Sequence, residues 1–482
     1  MTNSIKQDSL KGIKWSAIER FSLQGIQFLL GLIMARLLTP ADYGIIGMLA
    51  IFIAVGQSFV DCGFSNALIR KKNCSQKDCS TVFYFNIVVG IAAYWAMFAI
   101  APLVANFFDE SILKDVLRVL AINLFLNSLA VVQRAKMTIA IDFKGQAIAT
   151  LVSSLISGGV GIYLAYSGHG VWSLVYQSVL ATVLNVVLLW MMSRWRPALI
   201  FSRASFNDLF AYGSKILAAG LLHTIYTNMT TFVVGKFYTP KDLGFYTRGQ
   251  QIAALPSTNM TMIIQRVTFP ILAKIQDDDA QLIKVYRKYI SMASMGIFFL
   301  MILLASLAKP LVVILLTTKW LDSVIFLQIF CFAMMFDHLN QINLNMLQVK
   351  GRSDLFLKLE IIKKTISFAI LFASIPFGVI AICLSKVLYT QIAIVINTYY
   401  TGKIFGLGYF KQWSDFVKYL LLSVLACSPA FLLSLLDVNV YISLLLGSGS
   451  AVFFYIALLR NDSCMKEVLE FVMKRMKKKF CS

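Results

Sequence analysis

The chain has 482 residues, of which 59% are hydrophobic and 14% charged, against about 25% charged residues in an average soluble domain. That balance excludes a water-soluble fold, and the apolar residues gather in windows of about 20, enough to cross a hydrocarbon core of about 30 Å as helices. A net charge of +21 would point to nucleic acid in a soluble protein, so its distribution along the chain decides its meaning.

In chain order the windows run over 15–38, 43–66, 82–107, 115–133, 146–167 and 170–192. They continue over 212–238, 243–264, 289–308, 321–345, 355–375 and 377–400, and close with 416–436 and 438–459. About fourteen helices leave connections of about ten residues each, too short to hold a catalytic domain. The expected fold class is an all-α polytopic membrane protein of about 14 transmembrane helices. Its expected parts are two six-helix lobes around a central cavity, 1–205 and 206–405, an extra helix pair over 406–462, and a basic tail over 463–482. The first window follows a polar stretch, exceeds the apolar core of a signal peptide and lacks a small-residue cleavage site, so it is expected to remain in the mature protein.

Numbering the connections by parity sorts the basic residues into unequal sets. One set runs from Lys6, Lys11 and Lys14 through Arg70, Lys71, Lys72 and Lys77, then Arg134, Lys136 and Lys144, to the tail with Lys474, Arg475, Lys477, Lys478 and Lys479. The opposite connections hold only Lys114, Lys236, Lys241, Lys309 and Lys319, against a similar number of carboxylates. Both termini are therefore expected on the cytoplasmic side, and the helix count is expected to be even, twelve or fourteen. Dispersed over short connections, the charge sets orientation, and nucleic acid drops out as a partner. Trp15, Trp172, Trp195, Trp320 and Trp413 fall near window ends, where an indole suits the headgroup layer; Trp95 does not. The cysteines and histidines show no metal-ligand spacing, so neither a metal nor a cofactor is expected, and Cys74 and Cys79 are read as reduced thiols.

Two short segments repeat. LLTPADYG over 37–44 and FYTPKDLG over 237–244 both form the outer turn between the first two windows of a six-window half. Proline sets the turn, aspartate caps the next helix, and glycine lets the chain reverse without a side-chain clash. A fainter echo, APLV over 101–104 and KPLV over 309–312, is placed after the third window of each half. Six windows return the chain to the same side, so the halves are parallel repeats, and the last two windows are an appendage.

Ionisable groups within spans cost about 2.5–3.5 kcal/mol each at mid-bilayer, so they face a cavity or a partner. In the first window Ser16, Arg20, Gln24 and Gln27 share one face, with Glu19 beside them; the face lines a wet lumen, or Arg20 and Glu19 snorkel to the boundary. In the eighth window Arg248, Gln251, Asn259 and Arg266 share a face with Pro256 between them, either a moving wall or a helix with arginines at both interfaces. Lys215 lies one turn into the seventh window, and His223, Thr224, Thr227, Asn228 and Thr231 carry polarity through its centre. The deepest group is in the tenth window: Asp337, His338, Asn340, Gln341 and Asn345, with Lys386 of the twelfth as a partner for Asp337. This group is a proton site or salt bridge, or else a structural hydrogen-bond network. Gln57, Asp61, Asn123, Asn127 and Gln133 read as interhelical hydrogen bonds more than ligand contacts.

The opening KWSAIERFSLQGIQFLLGLIMARLLTPADYGIIGMLAIFIAVGQSFVDCGFSNALIRKK, 14–72, resembles the polysaccharide-export branch of the multidrug/oligosaccharidyl-lipid/polysaccharide exporter superfamily. These are the Wzx-type flippases, and the variant it looks most like is that of colanic-acid and teichuronic-acid export. ARLLTPADYG and the ALIRKK that follows carry the likeness by their order and spacing, and the repeat and extra pair extend it over essentially the whole chain. The resemblance implies a non-enzymatic transporter that moves an undecaprenyl-pyrophosphate-linked oligosaccharide across a bacterial inner membrane by alternating access, for lipopolysaccharide, capsule or exopolysaccharide synthesis. Its implied partners are the polyprenyl-pyrophosphate-linked glycan and membrane lipids, with polysaccharide polymerase and chain-length machinery beyond them. Arg20, Lys215, Arg248 and Arg266 would then receive the pyrophosphate and acidic sugars, and Gln24, Gln27, Asn228, Gln251 and Asn259 the sugar hydroxyls. Glu19, Asp61, Asp337, His338 and Lys386 would serve ion coupling or structure. A lipid II-type or multidrug transporter of the same superfamily, or a membrane polysaccharide polymerase, are the alternatives; a polymerase would be expected to carry acidic residues on a large external loop.

Overall fold

A computed structural model describes residues 22–71, 74–436, 438–467 and 470. Among them the regular structure is helical throughout, without a strand. The chain divides into two compact units, Met1–Gly244 and Phe245–Ser482.

The first unit holds α1 (Ser22–Leu37), α2 (Pro40–Asp61), α3 (Phe64–Arg70), α4 (Gln76–Phe108), α5 (Ile112–Leu120), α6 (Ile122–Ser128), α7 (Val131–Ile139), α8 (Phe143–Tyr166), α9 (Val171–Met192), α10 (Arg203–Phe237) and the start of α11 (Pro240–Lys274). The second holds the rest of α11, then α12 (Asp279–Ser306), α13 (Ala308–Leu316), α14 (Ser323–Met334), α15 (Asp337–Val349), α16 (Ser353–Ser374), α17 (Val379–Phe405), α18 (Tyr409–Leu435) and α19 (Val440–Leu459). Among the described residues, ten helices are long and apolar enough to cross a membrane, or eleven when the bent pair Ile112–Ser128 and Val131–Ile139 counts as one. The protein is a multi-pass membrane protein. Windows 15–38, 243–264 and 355–375 are helical where described, but α1 is short over its described residues, α11 is diluted by amides, hydroxyls and Pro256, and α16 carries Lys358, Glu360, Lys363 and Lys364. A count of fourteen needs all three.

Helix ends follow local chemistry. The repeated TP-x-D turns are capping boxes: Thr39 N–H and Oγ1 donate to Asp42 Oδ2 at 2.9 and 2.7 Å, and Asp42 N–H donates back to Thr39 Oγ1 at 3.3 Å. Thr239 and Asp242 repeat this at 3.2, 2.6 and 3.2 Å. The glycines differ from the sequence reading. Gly44 and Gly244 lie inside the helices, and each sits where the other copy's backbone presses closest: a Cβ on Gly44 would enter the Pro240 carbonyl, and one on Gly244 the Pro40 carbonyl. The two copies therefore pack on each other reciprocally. The fainter echo is less regular: APLV lies inside α4, with Pro102 in its last turns, whereas KPLV belongs to the separate short helix α13.

α10 begins nine residues before its predicted window, where Ser202 Oγ accepts from Ser205 N–H at 3.3 Å. The extension persists because Phe206 and Phe210 pack against Phe64 and Phe85, with ring centroids 4.9–6.4 Å apart. Trp320 and Trp195 lie at helix ends but are buried; Trp320 meets Phe245, and Trp195 Nε1 donates to Gln76 Oε1 at 2.7 Å. In the second unit α18 and α19 pack on each other and on α12, fixed by Tyr455, whose hydroxyl donates to Met295 O at 2.6 Å and whose ring stacks on Phe299 at 4.2 Å.

Candidate functional site: polar groups inside the helices

A bend sets the geometry of the first unit. Between α6 and α7 the chain turns by 42° at Leu129–Ala130, without proline or glycine. A break of this kind frees a carbonyl that hydrocarbon cannot satisfy. Here Trp190 of α9 fills the role, its indole N–H donating to Leu129 O at 2.9 Å. The bend aims Arg134 of α7 at α9, where its guanidinium donates to Asn185 Oδ1 at 3.3 Å. Arg134, with Asn127, Gln146, Thr150, Thr182 and Asn185, lines a cavity of about 340 Å³, completed by Ser153, Ser154, Ala181 and Leu189.

Beside it runs a chain of amides. Asn127 Nδ2 donates to Gln57 Oε1 at 3.1 Å, and Gln57 Nε2 donates to Asp61 Oδ1 at 3.1 Å. Asp61 and Arg134 act on each other through space. Asn123 Nδ2 donates to Ser178 Oγ at 3.1 Å, joining α6 to α9. Sequence reasoning placed Arg134 in a connection, because the apolar window ended one residue before it. The stripe Gln146, Thr150, Ser153 on α8, at i, i+4 and i+7, and Thr182 with Asn185 on α9 were the available signals.

The second unit has a matching break. Between α14 and α15 the Met334 carbonyl accepts from Ser257 Oγ of α11 at 3.0 Å. Asp337 follows directly, partly buried, with its Oδ2 3.4 Å from Ser257 Oγ and with Lys386 of α17 acting on it across space. The rest of α15 radiates hydrogen bonds. His338, fully buried, meets Ser294 Oγ through Nε2 at 2.9 Å and packs on Phe298, so it faces α12. Asn340 Oδ1 accepts from Asn397 of α17 at 2.8 Å, and Asn345 Nδ2 donates to Thr268 Oγ1 of α11 at 3.1 Å. Asn343, absent from the sequence reading, is the hub: its Oδ1 accepts from Tyr286, Thr401 and Gln412 at 2.8, 3.0 and 3.1 Å.

The other sequence-read residues are spread out. Arg20 and Glu19 lie outside the described residues. Gln24 is half-buried and Gln27 exposed on α1. Asn228 turns its amide onto its own helix at Thr224 O, 2.8 Å, and Asn259 does the same at Leu255 O, 2.8 Å. Lys215 and Arg266 are exposed. Arg248 Nη1 donates to Gln251 Oε1 at 3.1 Å, and its Cζ lies 5.8 Å from the Trp320 ring centroid.

At the start of α4, Cys74 and Cys79 bring their sulfurs within 3.0 Å. The hydrogen bond with Cys79 outweighs burial and, with Lys136 and Lys71 adding to it, brings the Cys74 thiol down to about 7. Lys71 bridges Asp78 and Asp208 at 3.0 and 3.1 Å, and these contacts, that with Asp78 first, hold its ammonium above the ordinary lysine range.

Known proteins share both sequence and fold with this chain. It is 24% identical to the teichuronic acid biosynthesis protein TuaB of Bacillus subtilis (strain 168) over 354 residues, 73% of each chain. It is 24% identical to the lipopolysaccharide biosynthesis protein WzxC of Escherichia coli (strain K12), over 75% of this chain and 74% of that one. Among solved structures it superposes on the lipid II flippase MurJ in an inward closed conformation with a TM-score of 0.71 at 15% identity, covering 93% of this chain and 99% of MurJ. An inward-facing multidrug resistance MATE family transporter of the MOP superfamily gives a TM-score of 0.60 at 15% identity, covering 82% and 98%. These two likenesses show the fold. The profile of the family described as polysaccharide biosynthesis protein matches residues 33–325, more than half of the length, and the chain belongs to that family.

Proposed function

We propose that the protein flips a polyprenyl-pyrophosphate-linked oligosaccharide repeat unit from the inner to the outer leaflet of a bacterial inner membrane, by alternating access and with both termini cytoplasmic. The observation that carries the reading is the cavity of about 340 Å³ walled by amides, hydroxyls and Arg134 within helices that belong in a membrane. Hydrocarbon tolerates such a lining only where it faces water or a polar cargo. Lys215, Arg248 and Arg266 add cations along α10 and α11, suited to a diphosphate, and Arg20 would extend that set. The polyprenyl tail stays in lipid. Asp337, between Ser257 and the field of Lys386, is the carboxylate we assign to coupling.

Deleting the gene and measuring lipid-linked glycans in each leaflet of membrane vesicles tests the reading. Complete repeat units should accumulate on the cytoplasmic side, and Arg248→Ala or Asp337→Asn should fail to restore export while remaining inserted. Normal translocation with lost polymerisation would replace the flippase by a polymerase.

A further inference from the structure

The Arg134 cavity has a chemistry more specific than a generic polar lumen. Its volume, about 340 Å³, lies at the small end of ligand pockets, which run from about 300 to 1,000 Å³. It can seat one or two sugar rings, not a lipid tail. Eight of the ten lining residues carry polar side chains, and all but Arg134 are neutral: amides from Asn127, Gln146 and Asn185 and hydroxyls from Thr150 and Thr182 can both donate and accept, as ring hydroxyls require, while the carbon atoms of the same walls suit the apolar faces of a sugar ring.

Charge narrows the ligand further. Arg134 is the one cation in the lining, and among the described residues no carboxylate forms an ion pair with it. Its contact with Asn185, at 3.3 Å, is long for a guanidinium hydrogen bond and positions the fork more than it satisfies it. Asp61 stands off, held by Gln57. A diphosphate would bring two or more negative charges to a single guanidinium with a carboxylate nearby, whereas one sugar carboxylate matches the planar fork in charge and in bidentate geometry. A bound metal cation would face Arg134 itself.

We propose that this cavity is a binding site for an acidic monosaccharide unit of the glycan, its carboxylate on Arg134 and its ring hydroxyls on the amides and hydroxyls of α8 and α9. The assignment rests on the glycan-transport reading and adds to it a preference for uronate-bearing cargo. The diphosphate of the carrier binds elsewhere, and the site selects the sugar.

The test uses the full chain in lipid nanodiscs with three probes: a glucuronyl disaccharide, its neutral glucosyl counterpart, and inorganic diphosphate. The acidic disaccharide should bind at least about tenfold more tightly than the neutral one, in keeping with a charge-assisted hydrogen bond. Arg134→Gln should erase that preference and leave neutral binding in place; Arg134→Lys, which keeps the charge but not the fork, should retain part of it. Asn185→Ala should weaken both sugars, and it carries the test if Arg134→Gln does not fold by thermal unfolding. Equal binding of the two disaccharides, diphosphate binding that is lost in folded Arg134→Gln, or an unchanged preference in a folded Arg134 variant overturns the proposal. Flipping of lipid-linked glycans with and without a uronate, in proteoliposomes of the same variants, separates the two readings. If the wild type moves neither, the transport reading fails; if folded Arg134→Gln moves both as the wild type does, only the acidic-sugar site fails.

Discussion

Buried amides in α15 and thiols near its counterpart unit's surface show how much a single residue decides. Asn343 has its carbonyl oxygen shared by three donors from three other helices, Tyr286, Thr401 and Gln412. Asn343→Ala removes the acceptor they share and the Asn343 Nδ2 donor to Gln412 Oε1, and should cost about 1–3 kcal/mol, measured as a lower unfolding midpoint in detergent. Cys74 makes a prediction of opposite character. With its thiol lowered to about 7, the thiolate is present at neutral pH, so alkylation of Cys74 should rise as pH passes through about 7. Cys79→Ala removes the main cause and should move that rise to higher pH; an unchanged profile would show that Cys79 does not set it. At this scale the sequence was legible where polarity stood alone in an apolar window, as at Asp337, and illegible where hydropathy faded. Arg134 sat one residue past a window and looked like a loop cation, because the bend that carries the helix onward has no proline or glycine to announce it.

Helices and their junctions are governed by two devices. Freed carbonyls at the breaks are capped from a neighbouring helix, Leu129 by Trp190 and Met334 by Ser257, which lets a span change direction in a solvent that offers no hydrogen bonds. The second device is the glycine contact between the two TP-x-D turns. Gly44→Ala or Gly244→Ala drives a methyl into a proline carbonyl and should cost about 1–3 kcal/mol as overpacking does. Gly159→Ala in α8, with nothing within 4 Å, is the control and should stay close to wild type. Loss of stability in all three alike, in thermal unfolding of the purified protein, would contradict the contact. The repeat itself was readable because proline, aspartate and glycine recur at fixed spacing, and the capping role of Asp42 and Asp242 followed from it. The glycines were assigned the wrong task, since a close approach between segments 200 residues apart in sequence leaves no local mark.

The whole molecule resolves the surplus of +21 into dispersed surface charge and a few cations set within helices. Composition alone fixed the solvent as lipid, and the family match and the shared fold agree with the resemblance carried by residues 14–72. Helix number was less legible: α11 and α16 follow predicted windows, yet amides and hydroxyls dilute the first and ionised side chains the second, and apolar content cannot separate a cavity wall from a span. What the chain does as a whole is tested most directly by reconstitution. Purified protein in vesicles containing a polyprenyl-pyrophosphate-linked oligosaccharide, challenged with an impermeant glycosidase, should expose nearly all of the glycan within minutes. Protein-free vesicles should expose only the outer leaflet, about half. If vesicles holding folded protein also stop at that outer-leaflet fraction, the protein does not flip this lipid.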